Sequence, residues 1–160
     1  MRIKQSICYP IFRPKDMSLD DLFRIGAEIG YDAVEFWNRE NEDDYEAVIE
    51  SRELLHSMFG GPWPREGFTL EENLRDLERH QQEFLDRKAF AYTVVSLDES
   101  RVLGCLYINP ARKTDADAKV HMWVRQSEYD KGLDAVLFQE VRNWLDSAWP
   151  FATVAYPGRE

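Results

Sequence analysis

The chain is short of several things, and each shortage narrows what it can be. It has 2 cysteines and 3 histidines in 160 residues. Cys8 and Cys105 lie in apolar strand-like runs, without metal-ligand spacing to each other or to the histidines. No metal site is indicated, and buried reduced thiols rather than a disulfide are expected. No apolar run approaches about 20 residues, so nothing in the sequence spans a bilayer. Cationic residues never gather beyond a pair, and the net charge is −10. Nucleic acid and anionic membrane are poor partners for such a chain. The N-terminus lacks the charged-then-apolar layout of a signal peptide, because Lys4, Pro10, Arg13 and Pro14 interrupt it. A cytoplasmic location is expected. Repeats and low-complexity tracts are missing too.

What is present suits a folded α/β domain. Hydrophobic residues make up 44% of the chain and aromatics 13%, enough for a real core at this length. The most informative stretch is 118–145. In AKVHMWV, Ala118, Val120, Met122 and Val124 alternate with Lys119, His121 and Trp123, which predicts a strand with one buried side. A polar turn over 125–131 (RQSEYDK) leads to a helix opening at Gly132. Leu133, Val136, Leu137, Val141, Trp144, Leu145 and Ala148 form its apolar stripe, and Trp144 is expected to be mostly buried. Such a strand–turn–helix unit aims free N–H groups beyond the strand end, where main chain alone can hold a phosphate.

The rest of the chain is read in the same way. Residues 3–9, a helix over 18–29 closed by Gly30, and 33–37 predict a parallel βαβ opening. The charged run 38–44 (NRENEDD) is the expected junction. A helix over 44–58 stops at Gly60-Gly61-Pro62, and Thr69 starts another, with Glu72 in the capping-box position and Leu70, Leu74, Leu77, Phe84 and Leu85 facing in. Residues 90–97 and 102–108 form an antiparallel hairpin, 118–124 adds a strand, and 151–156 is the last. The strand 33–37 is expected to pair with 90–97, and the helix 18–29 to pack on the sheet.

Two resemblances follow. On "MRIKQSICYPIF" and "SLDDLFRIGAEIGYDAVEFW", residues 2–37 resemble the first βαβ unit of the sugar-phosphate and hydroxypyruvate isomerase barrels. Glu35 matches a strand-end carboxylate of that unit, though by itself it reads as a solvated or capping residue. A barrel needs about 250 residues, so isomerase activity is the least expected function. On "DYEAVIESRELL", "WPREGFTLEENLRDLERHQQEF", "FAYTVV", "LGCLYINP", "WVRQSE" and "LDAVLFQEVRNWL", residues 44–159 resemble the GNAT N-acetyltransferase superfamily.

The GNAT resemblance implies an α/β (α+β) fold: a mixed, mostly antiparallel sheet flanked by helices, truncated at its C-terminus. The chain then divides into an isomerase-like segment, 1–43, fused or spliced onto a GNAT-like domain, 44–160. The resemblance also implies acetyl-CoA as co-substrate, its thioester arm along 118–124 and its pyrophosphate on the next turn. Trp123, Val124, Arg125, Gln126, Lys131 and Gly132 are the cofactor-binding candidates on that basis. The family's turn reads Arg/Gln-x-x-Gly-x-Gly/Ala, whereas Tyr129 and Asp134 stand at two of its three fixed positions here. Glu128, Asp130 and Asp134 also bring negative charge to the turn, so a weakened anion site is expected. The tyrosine that protonates the leaving thiolate in the family has no counterpart in the sequence.

His121 is the candidate catalytic base, since its ordinary pKa suits proton removal from an amine. Read without the resemblance, it is an exposed strand histidine. Tyr107 is a weaker acid candidate, and His56 and His80 read as surface residues. The expected function is an acetyl-CoA-dependent N-acetyltransferase of unknown amine or small-molecule acceptor, or a degenerate descendant. The alternative is a non-catalytic association domain, a homodimer through an incomplete sheet edge.

Overall fold

The computed structural model describes residues 6–8, 24, 33–35, 37–98, 100–111 and 116–159. Two short strands, β1 (Ser6–Cys8) and β2 (Ala33–Glu35), pair in parallel, with Ser6 opposite Ala33 and Cys8 opposite Glu35. This agrees with the parallel opening read from the sequence. It overturns the expected pairing of 33–37 with 90–97, because β1 and β2 form a sheet of their own. Of the helix expected over 18–29 only residue 24 is described, and it is helical; the side chains of Cys8 and Glu35 lie outside the described residues.

Three helices follow: α1 (Trp37–Glu50), α2 (Arg52–Phe59) and α3 (Leu70–Leu85). The charged run 38–44, expected to be a junction, is therefore helical. Its last two residues are anchored rather than solvated. Asp44 is buried and accepts from Asn73 Nδ2 at 2.8 Å, while Asp43 accepts from the Val102 main chain and the Arg125 guanidinium. The helix expected over 44–58 breaks at Ser51, whose buried hydroxyl accepts from the Gln126 N–H at 3.0 Å. Gly60 ends α2 in the left-handed conformation, at φ 66°. Thr69 and Glu72 make the expected capping box.

The main sheet has the order β3-β4-β5-β6, with β3 (Phe90–Val95), β4 (Val102–Pro110), β5 (Ala118–Val124) and β6 (Val154–Ala155). β3–β4 and β4–β5 are antiparallel, and β5–β6 is parallel. Between β5 and β6 come a one-turn helix, α4 (Gln126–Tyr129), and the long α5 (Leu133–Ala148). The last strand is much shorter than the 151–156 expected.

Both faces of the sheet are covered, which corrects the reading of β5 as buried on one side. Leu106, Ile108, Val120 and Met122 pack against Val141 and Leu145 of α5. Cys105 and Trp123 pack on the other face against Ala47, Val48 and Leu55 of α1 and α2. A strand between two helical layers needs apolar side chains in both directions, and Trp123 is fully buried. Cys105 is a buried thiol outside any disulfide, as expected, and donates to the Asp44 carboxylate at 3.6 Å. Gly104 lets β4 and β5 close up, because a Cβ there would stand 2.0 Å from the Trp123 carbonyl oxygen.

Two helix faces differ from expectation. Trp144 is half-buried, edge-on to Tyr92 and Trp149 with ring centroids 5.4 and 5.6 Å away. On α3, Leu70 and Leu85 are exposed and Asn73 is buried. Asn73 turns inward to Asp44, and Asp76, His80 and Glu83 further along the helix border the space beside the sheet.

Candidate functional site

β5 is paired unevenly along its length. On the β4 side its ladder runs from Ala118 to Val124, but on the β6 side only Ala118 and Lys119 have partners. Asp117 organises that divergence: its carboxylate accepts from the Ala152 and Thr153 N–H groups at 2.7 and 2.9 Å. Beyond Lys119 the two chains separate, leaving a cleft of about 140 Å³ bordered by His121, Met122, Phe59, Asp134 and Arg159. Arg159 reaches across it. Its guanidinium donates to the Met122 carbonyl at 3.0 Å and holds Asp134 at 2.6 and 2.7 Å.

A larger cavity of about 350 Å³ lies between the sheet and α3. His121, Tyr107 and Asn109 form its floor, Asp76, Arg79, His80 and Glu83 one wall, and Phe59 and Trp63 another. Tyr107 pairs with His121 across β4 and β5, so both side chains rise from the same face. The His80 ring lies tilted against Tyr107, with centroids 5.2 Å apart, and Phe59 lies 5.9 Å from His121. His121 and Phe59 border the cleft and the cavity alike.

Burial, and then the charge of Lys119, hold the His121 imidazole below its ordinary pKa. Burial, with the charge of Arg79, also depresses His80. Both rings are therefore neutral acceptors at neutral pH. Burial, followed by Cys105 and Asp44 nearby, pushes the Tyr107 phenol well up, and its oxygen accepts from Trp123 Nε1 at 3.4 Å. A tyrosine so held keeps its proton.

The candidates named from the sequence separate into distinct groups. Trp123 and Val124 are fully buried; the Trp123 main chain is turned to β4, and that of Val124 faces the side on which β6 no longer pairs. Arg125 turns inward: it donates to the Val102 carbonyl at 2.5 Å, the Asp43 carbonyl at 2.8 Å and Glu50 at 3.1 Å, and pairs with the Asp43 carboxylate. It ties α1 to the sheet rather than facing a ligand. Gln126 donates to Asp130 at 2.8 Å, and Lys131 pairs with Glu128 at 2.9 Å. Gly132 is exposed at φ 86°, with open space where a Cβ would be. The acids that should repel an anion all have partners: Glu128 also holds Arg101 at 3.0 Å, and Arg159 covers Asp134.

Asp76, His80 and Glu83 were legible only as part of a charged outer face. Their spacing of four and three residues does put them on one side of a helix. Among the described residues no cluster of His, Cys, Asp or Glu could hold a metal ion, and no helix is long and apolar enough to cross a membrane.

No family model matches the sequence, and neither does any curated protein. Solved structures do match the fold. The chain resembles RimL, a ribosomal L7/L12 alpha-N-protein acetyltransferase solved with coenzyme A, at TM-score 0.52 and 17% identity, covering 66% of this chain and 57% of that one. It likewise resembles the microcin C7 self-immunity acetyltransferase MccE, solved with acetyl-CoA and AMP, at TM-score 0.51 and 16% identity, covering 68% of this chain and 58% of that one. The fold is that of the GNAT acetyltransferases. The chain spans less than two thirds of either relative, and the isomerase resemblance of residues 2–37 gains no support.

Proposed function

We propose that the chain is an acetyl-CoA-dependent N-acetyltransferase whose amine acceptor occupies the larger cavity. The observation that carries this reading is the position of His121, on the border between that cavity and the cleft at the open edge of β5. The fold shared with two acetyltransferases supports it.

The open edge suits an amide-bearing arm, which can hydrogen-bond to free main chain as an added strand does. Arg159 already donates to Met122 there, so an incoming arm has to displace that bond. The pyrophosphate would lie toward the α4–α5 turn, where Gly132 keeps the backbone approachable.

The chemistry then needs little more than proximity and a base. Neutral His121 takes a proton from the acceptor's ammonium. The freed nitrogen lone pair attacks the thioester carbonyl carbon, and collapse of the tetrahedral adduct breaks the C–S bond. The amine's second proton and the sulfur's electron pair leave as the free thiol.

The test is release of the coenzyme A thiol on addition of acetyl-CoA and amines. His121→Gln should lower kcat by about 10²–10⁴-fold with KM little changed. A parent protein that transfers no acetyl group to any amine at millimolar concentrations would falsify the reading. A second reading, association through the sheet edge, is favoured by Leu97, which is 82% exposed just beyond β3. A monomer at high protein concentration, unchanged by Leu97→Lys, overturns it.

A further inference from the structure

We propose that the larger cavity selects amines bearing a second cationic group, diamines in preference to simple alkylamines or amino acids. The inference rests on the acetyltransferase reading for the fate of the reacting nitrogen, but not for the binding preference itself.

Charge balance is the first argument. The wall on α3 carries two carboxylates and one guanidinium. Arg79 holds Asp76 at 3.2 Å and Glu83 at 3.4 Å, one cation shared by two anions. His80, depressed in pKa by burial, adds no positive charge at neutral pH. Lys119, whose charge reaches His121 from two residues earlier on β5, does not line the cavity. The lining is left one negative charge in excess.

Shape and surface are the second argument. Phe59, Trp63 and Tyr107 present rings to the same space, and aromatic faces attract cations. Trp63 is set firmly, since its Nε1 donates to Asp76 at 3.2 Å and its ring meets Phe68 edge-on. At about 350 Å³ the cavity has the size of a small-molecule site.

The third argument is chemical. A nitrogen delivered to His121 must give up its proton before it can attack. The same nitrogen cannot also supply the positive charge that the acidic wall and the rings favour. A second amino group resolves the conflict, one end neutral at His121 and the other an ammonium near Glu83 and the aromatic rings.

The experiment is calorimetric titration of the full chain, without acetyl-CoA, with diaminobutane, butylamine and aminobutanoic acid at one pH and ionic strength. Diaminobutane should bind about tenfold more tightly than butylamine, with aminobutanoic acid weakest. Glu83→Gln should remove the diamine preference. Arg79→Gln, at a side chain 53% exposed, should strengthen diaminobutane binding more than butylamine binding. Equal affinities, tightest binding of aminobutanoic acid, or no heat from any of the three overturns the proposal. Failure of the parent reading looks different: diamine preference with no acetyl transfer sinks the acetyltransferase and leaves the cavity's selectivity standing. Transfer to diaminobutane and butylamine with equal kcat/KM sinks the selectivity alone.

Discussion

The two faces of the central sheet are built from opposite materials. Against α5 the buried residues are all apolar, Leu106, Ile108, Val120 and Met122 meeting Val141 and Leu145, with aromatic rings around the rim. Against α1, α2 and α3 the layer is laced with polar groups: Asp44, Ser51, Asn73 and Arg125 are all buried there. Burying such groups costs free energy unless each finds a partner. Each of these four does, although Arg52 Nε on α2 is buried without a hydrogen-bond partner, and the same face holds the cavity and His121. One side of the sheet is a dry layer, and the other gives up apolar burial to position polar side chains around the cavity. A cavity lined by ionisable groups thus forms where polar side chains are held by partners, against a dry layer on the opposite face.

Gly104 belongs to both faces, since it sets the closeness of β4 and β5. Gly104→Val should cost more than about 4 kcal/mol, because the new side chain collides with main chain that cannot yield. Chemical denaturation measures it, and a loss under about 1 kcal/mol would mean that the strands can part without consequence.

Arg125→Met removes the buried cation from the polar face and takes the guanidinium partner from Asp43, while Glu50 keeps Arg101 and the Ser127 N–H. About 3–5 kcal/mol should be lost, as for other buried pairs deprived of one partner. Near-wild-type stability would show that these carboxylates are hydrated without it.

Leu145→Ala acts on the dry face. It should cost about 2–5 kcal/mol while leaving amine binding in the cavity unchanged. Weakened amine binding in the folded variant would break the proposed division between the faces.

The gentlest probe is pH. His80 titrates below the ordinary histidine value, so the unfolded chain takes up its proton first. Its contribution is fully present above about pH 6.5 and is lost as pH falls through the folded value. Asp44 works in the opposite sense, because burial raises its carboxyl and protonation relieves it. Relative to His80→Gln, the parent should therefore lose stability on acidification from about pH 6.5. A constant gap between the two proteins would place His80 in water.

The dry face was the legible one. Strict alternation in β5 and the three- and four-residue spacing of Val141, Trp144 and Leu145 specify a strand and the helix that covers it. The capping box at Thr69 was equally plain, because its two reciprocal hydrogen bonds are local. The polar face was hidden for the same reason that it is useful. Asp44 and Asn73 are partners across 29 residues of sequence, and Asp43 and Arg125 across 82; no short-range pattern says that a charged run will be buried. NRENEDD therefore read as a junction, Arg125 as a ligand for anions, and His80 as surface. His121 was found as a candidate base, but its surroundings came only with the cavity.

The claim that joins these observations is that the open edge of β5 receives the acyl donor beside His121. Thermal unfolding with increasing acetyl-CoA tests it most directly. At about 100 times its dissociation constant the ligand should stabilise the fold by about 2.7 kcal/mol, and the amides of Met122 and Val124, which face away from β4, should exchange more slowly with solvent. No shift in unfolding temperature at millimolar acetyl-CoA, with exchange at those amides unchanged, would contradict it.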